Sequence, residues 1–386
     1  MPTRAGWCTA GAGLVLLAAA SLLGYPALGV VATGCLLAVA VAVAWTLSAP
    51  RVSVRREIAP SRVPRGEPAI GAITVANLGR RPVRLRAVER CGDRRLDIEL
   101  PVVQGRGRRL ASYRLPTGRR GEIDVGPLRL VHGAPLGLAS RGRDVAGRLT
   151  VLVRPRATHL PVPPIGRAGS LDGTTSGDGR GSPVAFHALR EYVPGDELRL
   201  VHWRASARTG ALVTRELRDA DRPHATVVLD VHPASYGAWS GGEADAAFEL
   251  AVDAAASVAV AAARRGQPLR ALLGGGPALE PSGGGRAGAE QVLDRLALVS
   301  PDAGQPLGAA LGALRAARTA GLLVVVTGRL APAEADEVGS LRRRFERVLV
   351  VLTGGGAIPS EPGGIGWIDG SSLAALLAGW RRAVAR

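Results

Sequence analysis

The sequence predicts a membrane-anchored multidomain chain: an N-terminal transmembrane helical hairpin, then a β-sandwich-like domain, then a layered α/β domain. Three observations carry that prediction. No charged residue occurs from Ala5 to Pro50. Short alternating segments between turn signals follow, and after Arg222-Pro223 apolar strand-like runs alternate with helix-length stretches. The divisions fall at 1–50 for the hairpin, 51–157 for the β-rich domain, 158–222 for a linker and a dense motif, and 223–386 for the α/β domain.

Gly24-Tyr25-Pro26 splits the apolar start into Trp7–Leu23 and Leu28–Leu47, runs of 17 and 20 residues. Helices of this length span about 26 and 30 Å at about 1.5 Å per residue, close to the thickness of a bilayer core. Trp7 and Trp45 lie near the ends that share one side, where indole rings favour the interface. A cleaved export signal also begins with a basic residue and an apolar run, but it leaves the second run unexplained. Arg4 precedes the hairpin, Arg51, Arg55, Arg56, Arg62 and Arg65 follow it, and the connecting turn is uncharged. The positive-inside rule therefore places both ends in the cytoplasm, giving a two-pass protein of the inner (cytoplasmic) membrane with its soluble domains facing inward.

Charge sharpens the picture. The chain has 49 basic and 32 acidic residues, a net of +17, and every basic residue is Arg. The absence of Lys excludes Schiff-base chemistry and the phosphate-loop lysine. Residues 51–160 hold 24 Arg against 9 acids, whereas 161–386 are nearly balanced. A basic region beside a membrane anchor points to anionic lipid headgroups. No nucleic-acid-binding motif accompanies it, so no nucleic-acid partner is expected. Cys8, Cys35 and Cys91 have neither metal-ligand spacing nor a disulfide framework.

In the β-rich domain strands are expected at Val52–Arg56, Ala69–Ala76, Pro82–Val88, Leu96–Leu100, Arg109–Leu115, Gly121–Val125, Leu128–Val131 and Leu149–Arg154. Val83, Leu85 and Ala87 face one way while Arg84 and Arg86 face the other, as in a sheet with one buried face. Pro161–Pro183 is rich in Gly, Pro, Ser and Thr and reads as a loop.

The densest cluster of polar and aromatic residues runs from Phe186 to Gly210 and includes Arg190, Tyr192, Gly195, Asp196, Arg199, Trp203, Ser206 and Arg208. One reading is structural: arginines pair with Glu191 and Asp196, Trp203 is an apolar anchor, and Ser206 is a cap or turn hydroxyl. The sharper reading is a site for an anion or an acidic partner, made by Arg190, Arg199, Arg204 and Arg208. Ser206, His202 and Asp196 have the residue types of a hydrolytic triad, but they crowd one short stretch without a nucleophile elbow. His187, His202 and His224 match no zinc spacing.

In the last domain Ala225–Val231 is a nearly continuous apolar run, the pattern of a buried parallel strand. Further strands are expected at Leu269–Leu273, Ala278–Glu280, Leu322–Thr327, Val348–Thr353 and Gly364–Ile368. Helices are expected at Ala244–Arg265, Glu290–Leu298, Pro306–Ala320, Ala333–Arg344 and Ser371–Ala385. Such a sheet binds ligands at the carboxyl ends of its strands, where Asp230, Thr327 and Thr353 stand. The runs Gly274–Gly276 and Gly354–Gly356 do not open a helix after the first strand, so they read as turns.

The spacing Arg190-x-Tyr192-x-x-Gly195-Asp196-x-x-Arg199-x-x-x-Trp203-x-x-Ser206-Ala207-Arg208 closely resembles the signature of the bacterial domain-of-unknown-function family 58. Gly66-Glu67, Val75-x-Asn77-x-Gly79, Arg120-Gly121 and Pro135-Leu136-Gly137-Leu138 agree in order with that resemblance. It implies a von Willebrand factor A-like (Rossmann-like) C-terminal domain. It also implies association with a MoxR-type AAA+ ATPase, often with a transglutaminase-like membrane protein. Metal-binding A domains carry Asp-x-Ser-x-Ser after the first strand, and here Asp230-Val-His232-Pro-Ala234 replaces both hydroxyls. Asp230 is therefore read as a degenerate metal position, free to cap the next element or receive an Arg, because hard Mg²⁺ favours oxygen ligands.

The expected function is that of a membrane-anchored, non-enzymatic interaction or adaptor protein with no cofactor. The alternatives are a Mg²⁺-dependent binding module, using Asp230, Thr327 and Asp369, and a cell-envelope hydrolase.

Overall fold

The computed structural model describes residues 1–48, 50–161, 184–191, 201, 203–219, 224–237, 243–281, 285–304, 306–316, 321–355 and 364–385. They fall into two compact units, Met1–Arg154 and Pro155–Arg386. The predicted linker at 162–183 lies outside the described residues.

The first unit opens with two long helices, α1 (Arg4–Leu23) and α2 (Pro26–Leu47). Thr3 caps α1 by accepting the Gly6 N–H at 3.2 Å. Gly24 closes α1 in the left-handed region (φ 66°), and Pro26 starts α2 where its missing N–H costs nothing. The turn therefore reverses the chain within two residues. Small residues let the helices approach: a Cβ on Gly13 would lie 3.1–3.2 Å from Cys35 and Leu36. Both helices are long and apolar enough to cross a bilayer, and most of their side chains face outward. Trp7 and Trp45 are exposed near the same end. The helix α4 (Glu243–Arg264) is comparably apolar, but its apolar residues are buried in the core of the second unit.

Nine strands follow: β1 (Val52–Ala59), β2 (Arg62–Pro64), β3 (Ile70–Asn77), β4 (Arg86–Cys91), β5 (Arg94–Glu99), β6 (Arg108–Arg114), β7 (Gly121–Gly133), β8 (Ser140–Ala146) and β9 (Leu149–Arg154). They form a three-stranded sheet, β1-β3-β6, and a six-stranded sheet, β2-β9-β7-β4-β5 with β8 paired to β7. Ile73 and Val75 of the first sheet share a core with Ala87, Leu128 and Leu130 of the second. The alternation around Val83–Ala87 is present, with Leu85 and Ala87 buried and Arg84 and Arg86 exposed.

Two expectations need correction here. The strands anticipated at Gly121–Val125 and Leu128–Val131 are one strand, β7, which pairs with β9 before Gly126-Pro127 and with β8 after it. Arg56 is not a solvated flank charge. Its side chain is only 3% exposed, and its guanidinium pairs with the fully buried carboxylate of Glu89. Glu89 also accepts the Tyr113 hydroxyl, so residues of β1, β4 and β6 meet at one buried carboxylate.

The second unit holds a five-stranded parallel sheet in the order β13-β12-β14-β15-β16: β12 (His224–Leu229), β13 (Leu269–Leu273), β14 (Gly321–Thr327), β15 (Arg347–Leu352) and β16 (Ile365–Asp369). The central strands are buried along nearly their whole length, and mostly apolar, because helices cover both faces. On one face α4, α5 (Arg286–Leu298) and α8 (Leu373–Ala385) share a core with Trp380 and Phe248. On the other, α6 (Leu307–Ala316) and α7 (Pro332–Leu341) pack on Val228, Leu323 and Val325. The anticipated strand at Ala278–Glu280 is only an isolated bridge from Leu279 to Ala271. The segment after Arg154 belongs here: Leu160 is buried in this core, and the Trp380 indole N–H donates to the Pro161 carbonyl at 2.6 Å.

Between β9 and β12 lie an antiparallel pair, β10 (Val184–Glu191) with β11 (Val213–Asp219), and the short helix α3 (Trp203–Thr209).

Candidate functional site

Two places in the second unit hold the residues singled out from the sequence. The first is α3. Trp203 is 64% exposed there, so it does not serve as the apolar anchor of the structural reading. Arg204 and Arg208 are exposed on the same short helix. Ser206 is buried, and its hydroxyl oxygen accepts the Val213 N–H at 2.9 Å. This bond ties α3 to the start of β11 and commits the hydroxyl to holding the turn. Arg190 stands on β10, where the backbone alone is described. Tyr192, Gly195, Asp196, Arg199 and His202 lie outside the described residues.

The second place is the carboxyl edge of the sheet. Counted along the chain, β12 is the first strand and β14 the third, and the strand order reverses between them. That switch point is where open α/β sheets leave a crevice. Asp230 follows β12 and Thr327 ends β14, and both are completely buried. The Thr327 hydroxyl donates to Asp230 Oδ2 at 2.6 Å, and the His232 N–H donates to Oδ1 at 2.9 Å. Asp230 thus closes an Asx turn that leads into the 3-10 turn Pro233–Tyr236, whose own N-cap is His232 with no side-chain cap.

That turn lies across the crevice. The Tyr236 hydroxyl donates to the Asp230 carbonyl at 2.6 Å, and its ring meets Phe248 edge-on with centroids 5.1 Å apart. A Cβ on Gly328 would come within 2.3 Å of the Ser235 carbonyl oxygen, so the backbones touch where a ligand would otherwise enter. Sequence reasoning missed Tyr236. The only local hint was the Asp230-x-His232-Pro233 pattern of an Asx turn.

The alternative ligand set does not assemble. Asp369 ends β16, two strands beyond β14, which at about 4.8 Å per strand puts it about 10 Å from Thr327. Its Oδ1 accepts the Ser371 N–H instead, at 2.9 Å. Thr353 is buried after β15 and donates its N–H to the Thr327 carbonyl at 2.9 Å. Among the described residues no group of three His, Cys, Asp or Glu side chains is arranged to hold a metal. An open cleft of about 320 Å³ lies beside β12 and β13, lined by Val231, Leu273, Arg295, Ser300 and Asp302 among others.

Residues 188–353, from β10 to the end of β15, match the family model described as "Protein of unknown function DUF58". They are a DUF58 domain. The domain begins in the β10–β11 pair, so α3 and the Asp230–Thr327 edge belong to one family unit. No curated protein matches the chain. Solved structures similar to parts of it include the CARDB domain of a Pyrococcus furiosus protein, at 12% identity over 27% of this chain and 93% of that one, TM-score 0.21. The PKD domain of an M14-like peptidase from a Thermoplasmatales archaeon overlaps at 14% identity over 27% of this chain and 98% of that one, TM-score 0.19. At those scores the likenesses carry no argument about the DUF58 domain or the strands before it.

Proposed function

We propose that this chain is a membrane-anchored, non-enzymatic interaction protein whose DUF58 domain meets its partner through the face of α3. The exposed Trp203, flanked by Arg204 and Arg208, carries the reading. Water-facing tryptophan is costly, and Trp with Arg is the composition enriched at the energetic centres of protein interfaces. The exposed guanidinium groups favour an acidic partner surface. The resemblance in the central motif makes a MoxR-type AAA+ ATPase the partner of choice, with a transglutaminase-like membrane protein as its companion.

In this proposal the two sheets of the first unit form a sandwich and the α/β layers a von Willebrand factor A-like domain. The carboxyl edge does not use a metal. Both Asp230 oxygens accept donors from the chain itself, and the 3-10 turn that follows occupies the crevice. The arginines flanking the hairpin favour an inward orientation, with Arg4, Arg51, Arg55, Arg62 and Arg65 remaining once Arg56 is discounted as buried.

The test is a mild-detergent pull-down of the MoxR-type ATPase by the full chain, comparing wild type with Trp203→Ala and Arg208→Ala. The expected loss is at least about tenfold for the tryptophan, the scale of an interface hot spot. Undiminished capture by both variants would remove α3 from the interface.

A further inference from the structure

The segment Gly133-Ala-Pro-Leu-Gly-Leu-Ala139 between β7 and β8 has no place in the reading above, and its composition is at odds with its surroundings. In a region with 24 arginines in 110 residues, it contributes seven consecutive uncharged, mostly apolar positions. His132 and Arg141 pair across the two strands at its base, Arg143 follows two residues on, and both arginines are exposed.

This loop packs on the side of the hairpin. Ala134, Leu138 and Ala139 are buried against Ala38, Val39, Ala42 and Val43 of α2. A Cβ on Gly6 of α1 would come within 2.0 Å of the Leu138 carbonyl oxygen, so only glycine permits the approach. Residues 38–43 lie four to nine positions before the end of α2 at Leu47. At about 1.5 Å per residue the contact sits about 6–13 Å inside the apolar span. Pro135, Leu136 and Gly137 form the outer tip, and Leu136 is 74% exposed.

Irregular backbone at that depth is favoured where its polar groups find partners within the protein, and at the base of this loop several do. The Ala134 N–H donates to the Ala139 carbonyl and the Gly137 N–H to the Ala134 carbonyl, each at 2.9 Å. The N-terminal residues supply three more partners. Thr3 N–H donates to the Leu138 carbonyl at 2.9 Å, the Thr3 hydroxyl to the Gly137 carbonyl at 2.6 Å, and the Met1 ammonium to the Ser140 carbonyl at 2.9 Å.

We propose that the β7–β8 loop is a third membrane contact, its Pro135-Leu136 tip inserted at the headgroup–acyl boundary beside the hairpin while Arg141 and Arg143 meet anionic headgroups. The occupant of the exposed tip is lipid, because the face is continuous with the lipid-facing sides of α1 and α2 and is rimmed by cationic side chains.

The test uses the full chain with Cys8→Ala and Cys35→Ala, the buried Cys91 left in place, reconstituted in phosphatidylcholine–phosphatidylglycerol vesicles. Nitroxide labels are placed singly through Leu136→Cys, Leu37→Cys on the outer face of α2, and Asp93→Cys. Asp93 lies in the β4–β5 turn beside Asp124, about 30 Å from the loop at about 3.3 Å per strand residue. Power-saturation spectroscopy then compares relaxation by oxygen with relaxation by a water-soluble nickel chelate. Leu136 is expected to behave like Leu37, relaxed by oxygen and shielded from nickel, and Asp93 to do the reverse. A Leu136 label as open to nickel as Asp93, with Leu37 still shielded, overturns the proposal while leaving the anchor intact. Nickel access at Leu37 removes the anchor itself, and the proposal with it. Shielding of Leu136 from both reagents places protein over the tip and also overturns it.

Discussion

Removing the Arg56 guanidinium tests how the first unit is held together. Arg56 and Glu89 are 3% and 0% exposed, and Tyr113 donates to the same carboxylate. Arg56→Ala strips a buried carboxylate of its counter-ion and leaves it a single hydroxyl donor. Breaking a buried pair from one side costs about 3–5 kcal/mol, because a charge is left buried without compensation. Cys91 supplies the readout: it lies two residues beyond Glu89 on β4, is 2% exposed, and reacts only when the strands open. With opening and closing fast relative to labelling, the rate of maleimide attack follows the opening constant. A loss of 3–5 kcal/mol at about 1.4 kcal/mol per decade predicts Cys91 labelling about 100- to 4,000-fold faster at a fixed pH. The parent again carries Cys8→Ala and Cys35→Ala.

A paired variant separates charge from shape. Arg56→Met with Glu89→Leu removes both ions and keeps most of the volume, so it is expected to recover most of the loss. Labelling of Arg56→Ala within about threefold of the parent would refute the buried-charge argument. A double variant as labile as the single one would refute it equally, by making packing the cause.

Two further outcomes follow from named contacts. Asp230→Ala leaves the His232 N–H facing a cavity, while the Thr327 hydroxyl can turn to the Arg329 carbonyl at 2.9 Å, and the change is expected to cost about 1–3 kcal/mol in denaturant unfolding of the second unit, the cost of one orphaned donor. Asp230→Asn keeps an acceptor and should cost clearly less, and added millimolar Mg²⁺ should leave the wild-type midpoint unchanged. For pH, burial foremost, then the Glu89 charge, pushes the Cys91 thiol up from 9.0 to about 11 against the opposing pull of Arg56. Burial, then its hydrogen bond to Glu89, also raises the Tyr113 phenol. Both groups hold their protons more tightly when folded, so their contribution is complete below pH 9 and is lost as pH rises through about 9 to 11 and beyond. The urea midpoint of the first unit, read by pulse proteolysis, should fall over that window and fall less steeply in Cys91→Ala.

What the sequence made legible tracks the range of the interactions involved. The buried strands β12, β14 and β15 announce themselves because each is a mostly apolar run, a local property imposed by helices on two sides. The hairpin is legible for the same reason. By contrast, β8 was missed because Ser-Arg-Gly-Arg-Asp-Val-Ala carries little to bury and exists as a strand only through its pairing with β7. Arg56 looked like one more flanking charge, since its partner Glu89 is 33 residues away and nothing between them signals the pair. Gly126-Pro127 punctuated two apolar runs, yet β7 passes through because a different neighbour takes over on each side. At the carboxyl edge the strand-end positions of Asp230 and Thr327 could be read in advance, but their mutual hydrogen bond and the Tyr236 cover could not, because they depend on strand order. Asp369 failed as a companion for that same reason.

The hairpin grips the β-strands from both of its ends. α1 is stitched to the β7–β8 loop through Met1 and Thr3, and α2 runs within a few residues into β1, whose Arg56 is locked in the core. A body leashed at one point can swivel on its tether; one pinned at two keeps a set tilt and stands at a fixed height above the lipid. Lengthening the Ser48–Arg51 connection with glycine would loosen one pin only, so the strands should keep their bearing until the N-terminal stitch is cut as well.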